Sequence, residues 1–221
     1  MKIGFILFQN ITQLDFTGPI QILSRLPDAE VHLVAADLQA IKTDCFSVLP
    51  TITFKECPQL DLLCVPGGFG VEQAIQNTEL VEFVRNQAKN ATYVTSVCTG
   101  SFVLGVAGLL EGKKATTHWA YHRALEKVGA IPIKERVVID GNVITGGGVT
   151  AGIDFALVIA KQIAGETLAQ TLQLGFEYNP SPPFNSGHPD SAPEEIVRTV
   201  TNNYASRLAD FTSVVEKVRN Q

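Results

Sequence analysis

Residues 93–101 read Tyr-Val-Thr-Ser-Val-Cys-Thr-Gly-Ser. The first five have strand character, whereas Thr99-Gly100-Ser101 is too small and polar to form a packed layer, so Cys98 falls where a strand gives way to a helix. A side chain at such a junction is held on a sharp, often strained turn. It projects over the carboxyl edge of a sheet and faces the unpaired N–H groups of the helix start. Those N–H groups and the helix dipole favour an anion, so the expectation is a thiol that ionises more readily than free cysteine and serves as a nucleophilic thiolate. The alternative reading is a cysteine that fills core, but Cys98 follows the strand rather than sitting inside it.

Working outward, apolar strand-like runs at 3–8, 31–35, 60–65, 93–97 and 143–145 alternate with helical patterns at 19–26, 80–90, 100–110, 119–128 and 153–164. Such alternation predicts an α/β fold, a mostly parallel sheet with helices on both faces. Catalysis is then expected at the carboxyl ends of the strands. A long amphipathic helix is expected from Pro193 onward, after a proline-rich loop. Such a segment packs across a domain or a dimer partner.

The 221 residues suffice for one domain over 1–221. With 17 basic and 22 acidic residues the net charge is −5, which argues against nucleic acid or an anionic membrane as partner. Residues 1–8 are apolar but too short to span a bilayer and lack a small-residue cleavage site, so they read as a first strand of a cytoplasmic protein with reduced thiols. Cys64 belongs to the apolar run 60–65 and reads as core, while Cys45 and Cys57 lie in a connecting region. No CxxC pair occurs, so neither a zinc site nor a disulfide framework is expected. Hydrophobic residues make up 45% of a chain with no membrane span, and such a surplus is commonly hidden in a two-fold interface. A homodimer is the expected assembly.

Several junctions could surround Cys98. Val65-Pro66-Gly67-Gly68 ends a buried run, and the amides of Gly67 and Gly68 are candidates to hold developing negative charge. The stretch 146–154, Gly-Gly-Gly-Val-Thr-Ala-Gly-Ile-Asp, lacks the spacing of a phosphate loop and reads as a pocket wall. Asp154 there can simply complement a helix start. In Gln13-Leu14-Asp15-Phe16-Thr17-Gly18-Pro19, proline suits a first helical position, which makes Thr17 or Gly18 the expected cap and leaves Asp15 free. A carboxyl between Leu14 and Phe16 is partly desolvated, which raises its pKa and lets it carry a proton near neutrality. His118, beside Trp119, reads as a packed histidine more readily than as an acid–base group, and His32, His122 and His188 show no metal-ligand spacing.

Taken in order, Leu14-Asp15-Phe16-Thr17-Gly18-Pro19, Pro66-Gly67-Gly68, Thr95-Ser96-Val97-Cys98-Thr99-Gly100, Ala115-Thr116-Thr117-His118-Trp119 and the glycine stretch 146–154 resemble the DJ-1/PfpI superfamily over nearly the whole chain. Within it the chain is most similar to the isocyanide hydratase group, including the tail 177–185. The resemblance implies a flavodoxin-like three-layer sandwich of the class I glutamine amidotransferase-like kind, usually homodimeric. It implies Cys98 as nucleophile, Asp15 as acidic partner and Thr99 as a residue holding the site. Thr99 stands where the peptidase branch has histidine, and Asp15 where DJ-1 itself has glutamate. Related regulators add a helix-turn-helix region, for which the single terminal helix here provides no basis. The implied activity is conversion of isocyanides to N-formamides without metal or organic cofactor, with Phe16, Val149 and Ile153 as pocket walls and Gly67 and Gly68 beside the substrate. A cysteine enzyme acting on 2-oxoaldehydes and a noncatalytic redox sensor are the alternatives.

Overall fold

The computed structural model describes residues 1–219. A seven-stranded sheet forms its centre, built from β1 (Lys2–Ile6), β2 (Glu30–Ala35), β3 (Ile52–Thr53), β4 (Leu62–Val65), β5 (Tyr93–Val97), β6 (Val137–Asp140) and β7 (Val143–Gly146). Their spatial order is β6-β7-β5-β4-β1-β2-β3, parallel throughout except for the β6–β7 hairpin. Every residue of β4 is buried, as a strand covered on both faces requires. Its register sets Cys64 opposite Phe5 on one side and Thr95 on the other, so Cys64 is core as expected.

Helices α1 (Leu14–Leu23), α2 (Thr78–Ala88), α3 (Ser101–Val106), α4 (Ala151–Ala164), α5 (Glu166–Gly175) and α6 (Glu194–Arg219) surround this sheet. Phe5, Phe16, Phe102 and Phe155 are the largest side chains wholly enclosed between the layers. Among the described residues no helix is long and apolar enough to cross a membrane.

The chain winds outward in both directions from β1, so the order of connection reverses between β1 and β4. That reversal opens a crevice at the strand carboxyl ends, where α/β proteins place ligands. The segments leaving β1, β4 and β5 there are the ones that carry Asp15, Gly67-Gly68 and Cys98.

Three local expectations are corrected. The first helix begins at Leu14, not Pro19, with Pro19 inside it and Gln13 rather than Thr17 or Gly18 preceding it. One proline removes a single i→i−4 bond, and the turn before it is already closed by Asp15 N–H to Thr12 O and Thr17 N–H to Gln13 O. The Pro19 ring instead packs on α4, where a β-carbon at Gly152 would stand 3.0 Å from its Cδ. Second, the helix after Cys98 spans Ser101–Val106 and stops well before 110, as the chain turns through Gly108 at φ +79°. Third, Trp119–Val128 is wound as a 3-10 helix. Over that span the 3.0- and 3.6-residue periods diverge by only about half a turn, so periodicity reads the helix but not its pitch. The helix α5, the strand β6 and the short strand β3 have no counterpart in the sequence reading.

Candidate active site

Cys98 has φ +57°, in the left-handed region that L-residues avoid. Its backbone is pinned from several sides. Its N–H donates to Gly147 O at 3.1 Å, and its C=O accepts from Thr117 Oγ1 at 2.8 Å and Ser101 Oγ at 3.2 Å. A single unfavourable residue persists when its surroundings over-determine it, and here the turn after β7, the 116–118 segment and α3 all do so. The sharp turn expected from the sequence is present.

Asp15 is wholly buried in the first turn of α1. Its Oδ2 accepts from the Gly67 N–H at 3.0 Å, and its Oδ1 has no hydrogen-bond partner of ordinary geometry. Burial pushes its pKa up to about 7, against smaller opposing effects from the Cys98 thiol and the Gly67 amide. The helix start favours the carboxylate by at most ~2 kcal/mol, whereas three pKa units correspond to roughly 4 kcal/mol, so desolvation wins.

The thiol departs from its expectation. Burial first, and then the Asp15 carboxylate, hold Cys98 well above the usual cysteine value, although the Thr99 amide and hydroxyl pull the other way. The N–H groups at a short helix start do not outweigh the loss of water around a side chain only 5% exposed. Cys98 and Asp15 therefore titrate as one coupled unit, which holds a single proton over a broad range above neutrality. Cys98 holds that proton more tightly than Asp15, so the pair rests as a thiol beside a carboxylate, and moving the proton to the carboxyl would leave a thiolate.

The two glycine amides are already engaged. Gly67 N–H serves Asp15, and Gly68 N–H donates to Thr99 Oγ1 at 3.1 Å. Their work at rest is to hold the acid and Thr99 in place. Phe16 is enclosed in the core, Ile153 meets Gly18 of α1, and Val149 is half-buried at the start of α4. None of these three lines the cleft of about 460 Å³ whose floor includes Thr117, Gly147 and Gly148 and whose rim includes Trp119, Arg123 and Lys134.

Gly148 lies where two side chains converge, since a β-carbon there would stand 2.4 Å from His118 Cδ2 and 3.2 Å from Cys98 Sγ. His118 is thus near the thiol. Its Nδ1 accepts from the Ala120 N–H at 3.3 Å, burial lowers its pKa, and its ring stacks on Trp119 at 5.7 Å. It is a neutral, packed imidazole with its proton on Nε2.

Sequence reasoning missed the residues that cover the elbow. Tyr204 of α6 packs on His118 at 5.5 Å and on Tyr121 at 5.9 Å, and Arg207 lies over the Phe69 ring at 3.7 Å. The stripe Tyr204, Leu208, Phe211, Val215 is legible as one helix face. That it lands beside Cys98 is a tertiary fact. Among the described residues no group of three or more His, Cys, Asp or Glu side chains could hold a metal.

A strained cysteine turn at the end of the fifth strand, a buried carboxyl behind it and a doubly engaged Gly-Gly turn define the class, and residues 1–162 match the model of the DJ-1/PfpI family. The chain belongs to that family. It is 52% identical over 218 residues to isonitrile hydratase of Pseudomonas putida, a match that covers 98% of this chain and 96% of that protein. Its fold superimposes with a TM-score of 0.93 on a ThiJ/PfpI family protein from Pseudomonas syringae, 38% identical, over 100% of this chain and 90% of the other. The HTH-type transcriptional regulator GbdR of Pseudomonas aeruginosa is 29% identical over 80% of this chain, which spans only 50% of the regulator.

Proposed function

We propose that the protein is an isocyanide hydratase, converting isocyanides to N-formamides by covalent catalysis at Cys98. The observation that carries this is the 52% identity to isonitrile hydratase over nearly the full length of both proteins. The coupled Cys98–Asp15 pair supplies chemistry that suits it.

An isocyanide is small, neutral and electrophilic at its terminal carbon, so it needs a soft nucleophile and a proton for that same carbon. The Cys98 thiolate attacks the carbon while Asp15 protonates it, giving a thioimidate and leaving Asp15 ionised. Water then adds to the thioimidate carbon. Asp15 takes a proton from the water and passes it to nitrogen. Collapse breaks the C–S bond, and the last hydroxyl proton returns to Asp15 as the N-formamide leaves. Thr99 holds the Gly68 turn, and Gly67 holds the acid. Phe16, Val149 and Ile153 support α1 and α4 behind the cleft rather than lining it. The neutral, capped state of His118 favours this reading over a 2-oxoaldehyde enzyme that would use a histidine beside the thiol.

The same reading makes residues 1–221 one functional unit, cytoplasmic and homodimeric. Exposed Leu174 and Phe184 are apolar surface that a subunit interface would cover. The deciding experiment mixes purified protein with a simple aryl isocyanide and follows formamide. Catalytic formation that disappears in Cys98→Ala is expected; no formamide from the wild type would overturn the assignment.

A further inference from the structure

Hydration needs a second nucleophile, water, beside the carbon that Cys98 has captured, and the Cys98–Asp15 pair does not itself place one. A void of about 10 Å³ lies next to Thr99, lined by Gly68, Glu72, Thr99, Tyr121 and Arg207 among others. A space of that order accepts one water when two to four polar partners surround it. Four of the lining residues have polar side chains.

Tyr121 is the most telling of them. Its ring packs on Phe102 and Phe211, and among the described residues its hydroxyl makes no hydrogen bond and stays open to water beside the void. A hydroxyl open to water and without a protein partner binds water instead. Glu72 and Arg207 line the same void as Tyr121, and Thr99, which directly follows Cys98, joins the void to the turn that carries the thiol. Burial pushes its pKa up to about 12, so it remains a donor throughout the working range. The void also touches the Gly68–Thr99 hydrogen bond, one residue from the Gly67 amide that holds Asp15.

We propose that this void is the seat of the hydrolytic water and that Tyr121 is a positioning residue, orienting that water toward the Cys98-bound carbon. The proposal rests on the hydratase reading and divides its two steps. In the first, Cys98 Sγ bonds to the isocyanide carbon and the Asp15 proton moves to that carbon; the void takes no part. In the second, the water oxygen bonds to the carbon as the C=N π bond breaks, with the Tyr121 hydroxyl bridging to the water and retaining its own proton overall.

Rapid-quench kinetics with an aryl isocyanide on Tyr121→Phe test this, because loss of one hydroxyl should leave the first step alone. The expected result is an undiminished burst of Cys98 adduct, seen by intact-protein mass spectrometry, followed by formamide release slowed about 10-fold or more. Unchanged turnover, or equal slowing of both phases, would overturn the water site while leaving the hydratase reading intact. A wild type that forms neither adduct nor formamide would overturn that reading and this proposal with it. As a second measurement, high-resolution diffraction of the wild type should show an ordered water bonded to Tyr121 Oη; density showing the void closed by side chains would also overturn the proposal.

Discussion

The Gly67 amide donates a 3.0 Å hydrogen bond to the Asp15 carboxyl, tying the turn after β4 to the first turn of α1 across the crevice where the strand order reverses. The sheet thus builds its acid from one side of the crevice and steadies it from the other. Cys98 enters from the next strand over. Three consecutive neighbours in the sheet meet at one proton.

That proton gives a pH signature. Asp15 ionises near 7 when folded against 3.8 in its ordinary state. Between those values the folded protein binds a proton that the unfolded chain has lost, so its contribution to stability is present at low pH and is lost as pH rises through about 7. The slope is about 1.4 kcal/mol per pH unit at most. Asp15→Asn should remove it, so that urea midpoints of the variant gain on wild type between pH 5 and 8. For catalysis the pair must first lose one of its two protons. Activity should therefore rise with pH through about 7, and Asp15→Asn should lie at least ~100-fold below wild type. An Asn variant as active as wild type would make Asp15 structural.

Cys98→Ser and Cys98→Ala should abolish turnover with little loss of fold, because the side chain is small and stands at the crevice. Both keep the left-handed backbone of residue 98. Cys98→Gly relieves it and should unfold at least as high as Cys98→Ala, by about 1 kcal/mol. Calorimetry of the three variants checks the order; an alanine variant clearly above the glycine variant would mean that the turn is not strained.

Gly148→Ala places a methyl 2.4 Å from His118 Cδ2 and beside the thiol. The expected result is a folded protein destabilised by roughly 1–3 kcal/mol, with activity lost because His118 or Cys98 must shift. His118→Ala in the same background should restore part of the stability. A double-mutant cycle with no coupling between 118 and 148 would contradict the contact.

Thr99→Val keeps the volume but removes the acceptor for the Gly68 N–H. The bond is partly buried, so its donor left without a partner costs up to about 1–3 kcal/mol. Turnover should fall with stability, whereas Thr99→Ser should retain both. Thermal melts and initial rates of the pair distinguish loss of the hydroxyl from loss of the methyl.

The fold was legible because its signals are local. The run Tyr93–Val97 followed by small residues fixed the elbow, and β-branched strands alternating with helical periods fixed a parallel sheet. Asp15 was legible as a desolvated carboxyl from its apolar neighbours alone. The start of α1 was not, because Pro19 is a stronger sequence signal than the backbone bonds that precede it. The direction of the Cys98 shift was also missed: a helix start can be read from sequence, but the burial that outweighs it is set by tertiary packing. Tyr121 and Tyr204 joined the site for the same reason, being distant in sequence and brought together by packing.

The cover over the elbow has a consequence for biosynthesis. Tyr204 and Arg207 leave the ribosome more than a hundred residues after Cys98, long after the sheet that presents the thiol is complete. Domains acquire structure from the N-terminal side as they emerge. The nascent protein therefore passes through an interval in which the strained cysteine is formed but unroofed, open to adventitious oxidants and electrophiles. Docking of α6 ends that interval.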